Sequence, residues 1–304
     1  MSDFKVHILG CGSALPTQRH LPTSQVVELR GKLYLVDCGE GTQRQIRCKG
    51  LSFEALTTIF ITHHHGDHIF GLPGLLSSLS MLGRTRALTI IGPRGTKKLI
   101  EGMRTLFLDW IAFPLSIEEF DDRVPQQVFM DRSVVVRSVP LTHRMPCQGY
   151  VFEERVSERR VDKASCQFYG VPLAHYPALL RGEDWTNDEG EVIANARLTK
   201  QLAPARSYAM CTDTLYLPHL HELIKGVTLL YHEATFLRGS EERAKQTCHS
   251  TAYQAAEVAK AAGVGRLVIG HYSARYNKIE PFRVEAAEVF PNTIAADEGL
   301  TIEL

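Results

Sequence analysis

A chain of 304 residues with 44% hydrophobic content can bury a substantial core, as one large domain or two small ones. Lysine plus arginine and aspartate plus glutamate balance at 34 each, so composition carries no basic excess for phosphate binding and leaves room only for a local basic patch. Seven cysteines, an odd number without CxxC spacing, argue against a disulfide framework or a zinc ribbon, and no window is apolar enough to span a bilayer. The opening Met1-Ser2-Asp3-Phe4-Lys5 lacks the regions of a signal peptide. A cytoplasmic protein with reduced, mostly buried cysteines and no membrane partner is expected.

The first elements read as strands. Residues 5–9 alternate, and a turn follows at Gly10-Cys11-Gly12-Ser13. Residues 24–30 and 32–36 form a hairpin about Gly31, ending at Asp37-Cys38-Gly39-Glu40-Gly41. Residues 42–49 suit a short helix capped by Gly50. Residues 56–61 form a buried strand that runs straight into His63. A helix over 72–82 tolerates Pro73 in its first turn, a strand over 88–91 ends at Gly92-Pro93, and 96–106 shows helical spacing. Strands over 134–140 and 150–154 follow, the first leading to His143.

Between about 155 and 199 charge is dense, apolar periodicity is poor, and glycines and prolines interrupt the chain. This stretch reads as an inserted arm within a single domain spanning 1–304. Strands over 206–212 and 227–231 then end at Asp213 and His232. Residues 251–262 form an Ala-rich helix, 266–269 a strand leading to His271, 280–289 a helix, and 301–304 an edge strand. Interleaved strands and helices with early hairpins predict mixed sheets covered by helices, an α/β layer architecture. Ligand-capable residues recur just past apolar strands: His63, His143, Asp213, His232 and His271. Sites gather where strand ends project into one crevice.

Thr62-His63-His64-His65-Gly66-Asp67-His68 is the strongest chemical signal. His63, His65, Asp67 and His68 form an HxHxDH pattern at the end of a buried strand. A sharp bend at Gly66 would direct Asp67 and His68 away from His63 and His65, so one segment could serve two adjacent metals. His64 should point elsewhere. Neutral imidazole and carboxylate suit zinc, and a bound metal lowers the pKa of its water to about 7.

These residues resemble the signature of the metallo-β-lactamase superfamily, which implies an αββα sandwich of two mixed β-sheets flanked by helices, here with the inserted arm. By that resemblance His63, His65 and His143 would hold one zinc, Asp67, His68 and His271 the other, and Asp213 would bridge them. Other segments narrow the likeness. Leu9-Gly10-Cys11-Gly12-Ser13-Ala14-Leu15-Pro16, the stretch from Asp37 to Gln45, His232-Glu233-Ala234-Thr235, His249-Ser250-Thr251-Ala252 and His271-Tyr272-Ser273-Ala274-Arg275-Tyr276 are similar, in order, to hallmarks of the ribonuclease Z family. The length matches that family's short form.

The resemblance implies a zinc-dependent endoribonuclease that cuts precursor tRNA on the 3′ side of the discriminator nucleotide. It also implies two zinc ions per subunit, with manganese or iron(II) acceptable to the same ligands, and a homodimer. Asp67 would take a proton from the attacking water, His249 would assist the leaving oxygen, Glu233 would orient His249, and Arg275 would contact a phosphate.

The arm departs from the family pattern. Tyr169 to Pro177 lacks an adjacent Gly-Pro pair, and Arg155, Arg159, Arg160 and Lys163 are opposed by Glu183, Asp184, Asp188, Glu189 and Glu191. Near the start, Arg19-His20 stands where the family usually has Arg-Asn. Three competing readings are another binuclear-zinc phosphodiesterase acting on a small phosphodiester or sulfate ester, a metal-dependent RNA-binding or scaffold protein, and a lactamase or thioesterase. The Asp37–Gln45 and His232–Thr235 stretches disfavour the last.

Overall fold

The computed structural model describes residues 4–107, 110–155, 159–202 and 204–304. Fourteen strands build two large sheets. In chain order they are β1 (Phe4–Gly10), β2 (Ser24–Leu29), β3 (Lys32–Val36), β4 (Leu56–Phe60), β5 (Leu88–Pro93), β6 (Leu115–Phe120) and β7 (Gln126–Met130). Then come β8 (Val134–Leu141), β9 (Cys147–Glu154), β10 (Ser207–Cys211), β11 (Leu229–Glu233), β12 (Arg266–Gly270), β13 (Thr293–Ala295) and β14 (Thr301–Glu303). The first sheet runs β14-β1-β2-β3-β4-β5-β6, the second β13-β12-β11-β10-β9-β8-β7.

Both sheets are mixed, for a reason visible in the connections. The β2–β3 hairpin turns through Arg30 and Gly31, both at positive φ, and leaves its strands antiparallel. Helical crossovers make β3–β4, β4–β5 and β10–β11–β12 parallel. Parallel strands are covered on both faces, and β3, β4 and β11 are accordingly buried along nearly their whole length.

One core lies between the sheets, joining Phe4, Val6 and Ile8 of the first to Tyr150, Phe152, Tyr208 and Leu229 of the second. The outer face of the first sheet is covered by the helices Thr42–Cys48, Leu72–Met81 and Thr96–Phe107 through Ile46, Leu75, Leu79 and Ile100. Helices Ala252–Ala262 and Glu280–Ala287 pack through Ala255, Ala259 and Phe282 into the cluster of the second sheet. The layers are therefore helix, sheet, sheet, helix, as the superfamily resemblance implies. Thr251 and Gln254 close a capping box on the first of those two helices. All seven cysteines are free, and five of them are buried.

The chain divides into two compact units, residues 1–152 with 207–304, and residues 153–206. The second unit has its own apolar cluster of Cys166, Val171, Leu179, Trp185, Ile193 and Leu198. Asp162 caps the helix Lys163–Tyr169, and the amide of Asn195 donates to the carbonyls of Leu179 and Glu183. At its neck the guanidinium of Arg206 grips both carboxylate oxygens of Glu154, at 2.9 and 3.0 Å. Arg155 falls within this unit, and residues 156–158 lie outside the described set.

Candidate metal centre

Asp213, just past β10, sits between two trios of side chains. Its Oδ1 lies 3.9 Å from His63 Nε2 and 4.0 Å from His143 Nε2. His65 Nδ1 completes that trio, 2.9 Å from His63 Nε2 and 3.2 Å from His143 Nε2. The other oxygen, Oδ2, lies 3.2 Å from His68 Nε2 and 3.3 Å from His271 Nε2. Asp67 Oδ2 closes the second trio, 3.5 Å from His68 and 3.9 Å from His271. His63, His68, Asp213 and His271 are buried. The Nε2 atoms of His68 and His271 are buried without a hydrogen-bond partner, an arrangement normally costly for a polar group. Convergent nitrogen and carboxylate donors with orphaned, inward-facing nitrogens fit a pair of divalent cations.

The backbone aims these groups. Six described non-glycine residues adopt positive φ, and five of them serve this site: Ala14, Asp37, Asp213, Cys248 and His271. Each costs roughly 1–2 kcal/mol as a left-handed residue, and such strain concentrates where geometry matters. At Asp213 and His271 the sharp turn off a parallel strand swings the side chain over the sheet rim. Gly66 departs from the expectation. It has no positive φ and opens the short helix Gly66–Ile69. The helix turn, rather than a glycine bend, separates Asp67 and His68 from His63 and His65. A Cβ at Gly66 would meet the ring of Phe70 where that ring now lies.

Each trio is braced from behind. Asp37 Oδ2 accepts from His68 Nδ1 at 2.6 Å and from the Thr62 hydroxyl at 2.8 Å, while Oδ1 accepts the Thr62 backbone N–H at 2.8 Å. Thr235 Oγ1 lies 2.9 Å from His271 Nδ1, and the Cys248 carbonyl lies 3.1 Å from His143 Nδ1. The Ala14 N–H donates to Asp67 Oδ2 at 2.9 Å. Such partners fix the ring orientation and the tautomer that presents Nε2. The sequence reading gave Asp37, Thr235 and Cys248 no such role. The available signal was a carboxylate directly after the apolar run of β3, which burial obliges to find a partner.

Burial lowers the pKa of His63, helped by the neighbouring His68, and burial likewise lowers His65 and His143. These rings are held neutral, the form that binds a cation. Burial also depresses His68, but the charges of Asp213 and Asp37 outweigh it and lift His68 well above the usual range. Burial pushes Asp67 and Asp213 upward. The adjacent rings of His271 and His68 reverse this for Asp67, and the charges of His271, His68 and His63 reverse it for Asp213, holding both below ordinary carboxylates.

His249 lies on the same cavity, of about 400 Å³, together with Ser13, His65, Asp67, Phe70, Arg144 and Asp213. Its Nδ1 is 2.8 Å from Glu233 Oε1. Glu233 is fully buried and also accepts the N–H groups of Thr214, Thr235 and Ser250 and the hydroxyl of Thr235. Burial would lower His249, but the charge and hydrogen bond of Glu233 raise it to about 9. The structure therefore brings together Glu233, His249 and the seven proposed ligands. Arg275 is exposed, with its guanidinium 5.1 Å over the Phe236 ring, and does not line this cavity. His232 lies inside β11 rather than beyond it and is buried, with Nδ1 2.7 Å from the Glu233 carbonyl. His64 turns away to Thr96 Oγ1 at 2.8 Å.

A protein of Porphyromonas gingivalis named ribonuclease Z is 49% identical over 304 residues, covering all of both chains. The chain belongs to the ribonuclease Z family. Among solved structures it is similar to the human tRNase Z short form, with a TM-score of 0.71, 26% identity and coverage of 98% of each chain. The metallo-β-lactamase fold protein YhfI from Bacillus subtilis shares the fold at a TM-score of 0.71, with 18% identity over 99% of this chain and 100% of that one. The family described as Anti-Pycsar protein Apyc1 matches residues 4–101, a stretch that includes His63 to His68. Two of the five segments that narrow the likeness to ribonuclease Z, Asp37–Gln45 and His232–Thr235, meet at the site. The first supplies the Asp37 brace and the second the Glu233 and Thr235 braces.

Proposed function

We propose that this chain is a zinc-dependent endoribonuclease that cuts precursor tRNA after the discriminator nucleotide, leaving a 3′-hydroxyl on the tRNA and a 5′-phosphate on the trailer. Identity of 49% over the full chain to a protein named ribonuclease Z and likeness to human tRNase Z support tRNA 3′ processing as the class of reaction. The observation that carries the reading is Asp213, whose two oxygens each face a separate trio of donors. His63, His65 and His143 would hold one ion, Asp67, His68 and His271 the other, with Asp213 shared. When bound, two divalent cations supply Lewis acidity toward a phosphoryl oxygen and toward water. Zinc suits these donors, and manganese or iron(II) is compatible with them.

The remaining work falls to side chains. Asp67, kept anionic by its histidine neighbours, accepts a proton from the attacking water. His249 enters the reaction protonated, because Glu233 holds its Nδ1, and delivers a proton from Nε2 to the departing 3′-oxygen. Glu233 is a positioning residue, fixed by three backbone N–H groups and one hydroxyl. Arg275 contacts a phosphate of the bound RNA, and residues 155–199 form the arm that grips the tRNA apart from the scissile bond. The enzyme works as a homodimer in the cytoplasm; among the described residues no helix is long and apolar enough to cross a membrane.

Purified, zinc-loaded protein should cut a precursor tRNA at one site, mapped on precursors with and without encoded CCA. Asp67→Ala should abolish cutting. An uncut precursor with fully metallated wild type would remove the assignment.

A further inference from the structure

We propose, resting on the RNA-cleaving reading above, that Phe70 is a stacking platform for the base of a nucleotide adjoining the scissile phosphate. Phe70 caps the C-terminus of the short helix Gly66–Ile69, its N–H donating to the Gly66 carbonyl at 2.8 Å. It therefore sits one turn beyond Asp67. Its side chain is 70% exposed, yet it lines the cavity that contains Asp67, His143, Asp213 and His249. Among the described residues on that cavity, histidines aside, it is the one aromatic side chain.

The ring is seated by the chain itself. A Cβ on Gly66 would collide with three of its atoms, so the phenyl edge lies directly over the Gly66 backbone. On the cavity wall Arg144 is also exposed and is tethered through Nη2 to the Gln246 carbonyl at 3.2 Å. The cavity thus offers imidazoles and carboxylates, a cation, and a flat apolar face.

A phosphodiester flanked by a nucleobase matches that combination. An unpaired RNA end loses its own stacking when drawn into a pocket, and an exposed aromatic ring replaces it whatever the base identity. Phe70 also borders an apolar groove of about 760 Å³ lined by Pro73, Leu99, Met103 and Leu106. A second copy of the chain seated there is the competing explanation for its exposure.

Single-turnover cleavage of three precursor tRNAs separates these cases: one intact, one abasic on the 5′ side of the scissile phosphate, and one abasic on the 3′ side. Phe70→Ala should lose about 5- to 150-fold on the intact precursor, with metal content and circular dichroism unchanged. On one side, the abasic substitution should cost the wild type a similar factor and cost Phe70→Ala nothing further. Phe70→Trp should recover most of the loss, and Phe70→Leu should not. The proposal is overturned by an unchanged rate in Phe70→Ala or by abasic losses that multiply with it on both sides. Full recovery in Phe70→Leu, loss of metal in Phe70→Ala, or a dimer-to-monomer shift with an unaltered abasic penalty would also overturn it. A metallated wild type that cuts no precursor would instead fell the reading on which this rests.

Discussion

Replacing Asp37 with asparagine keeps the shape of a buried side chain and removes its charge. Asp37 accepts three hydrogen bonds, from the Thr62 N–H, the Thr62 hydroxyl and His68 Nδ1, all at 2.6–2.8 Å. Asparagine can still accept from the Thr62 N–H through its carbonyl oxygen. Its amide nitrogen then faces His68 Nδ1, which must present a lone pair, so the ring proton moves to Nε2. That is the nitrogen aimed at Asp213 and Asp67, and in this tautomer it cannot bind a cation. Loss of such an orienting partner costs about 10–100-fold in metal affinity. The other trio keeps its ring orientations, since the Thr62 hydroxyl still meets His63 Nδ1 and the Cys248 carbonyl still meets His143 Nδ1. Competitive titration against a chromophoric chelator resolves the two ions. Asp37→Asn should weaken one ion by that factor and spare the other. Wild-type affinity for both ions, or equal weakening of both, would refute the reasoning.

Glu298 hydrogen-bonds His20 at 2.7 Å and raises its pKa against the opposing effect of burial. A raised folded pKa contributes stability below the unfolded value of about 6.5, and that stability is lost as pH rises through the folded value. The gap in melting temperature between wild type and Glu298→Gln should therefore be widest in mild acid and narrow toward alkaline pH; a pH-independent gap contradicts this. Arg84 is 1% exposed and donates to the carbonyls of Phe53, Leu56, Arg86 and Ala87. Arg84→Met strands those acceptors and should destabilise the protein by about 3 kcal/mol or more in urea unfolding, whereas a change within experimental error would show the network to be dispensable. His249→Ala should slow cleavage of precursor tRNA by about 10²–10⁴-fold at unchanged metal content, with Glu233→Gln intermediate; wild-type turnover in His249→Ala would remove the proton donor from the account.

The central strands and the candidate ligands His63, Asp213 and His271 were legible because one pattern recurs: a short apolar run that stops at a histidine or aspartate. β4, β10 and β12 show it plainly. β6 and β7 do not. Leu115–Phe120 and Gln126–Met130 lie at or next to sheet margins, carry polar residues and bury no residue fully, so their alternation is weak. Residues 153–206 hide their small core for another reason. Cys166, Val171, Leu179, Trp185, Ile193 and Leu198 are too widely spaced for any helical or strand period, and they meet only after short elements fold back. The braces behind the ligands were equally hidden, since Asp37 and His68 stand 31 positions apart and nothing local joins them. His232 shows the pattern misleading: the strand runs one residue further, and the side chain stays within the sheet.

Anomalous diffraction at the zinc absorption edge, on crystals of zinc-loaded protein, tests the central claim most directly. Two strong peaks per chain should flank Asp213, about 3.5–4 Å apart, one beside His63, His65 and His143 and the other beside Asp67, His68 and His271. A single peak, or none within reach of Asp213, would contradict the binuclear centre and every catalytic role assigned around it.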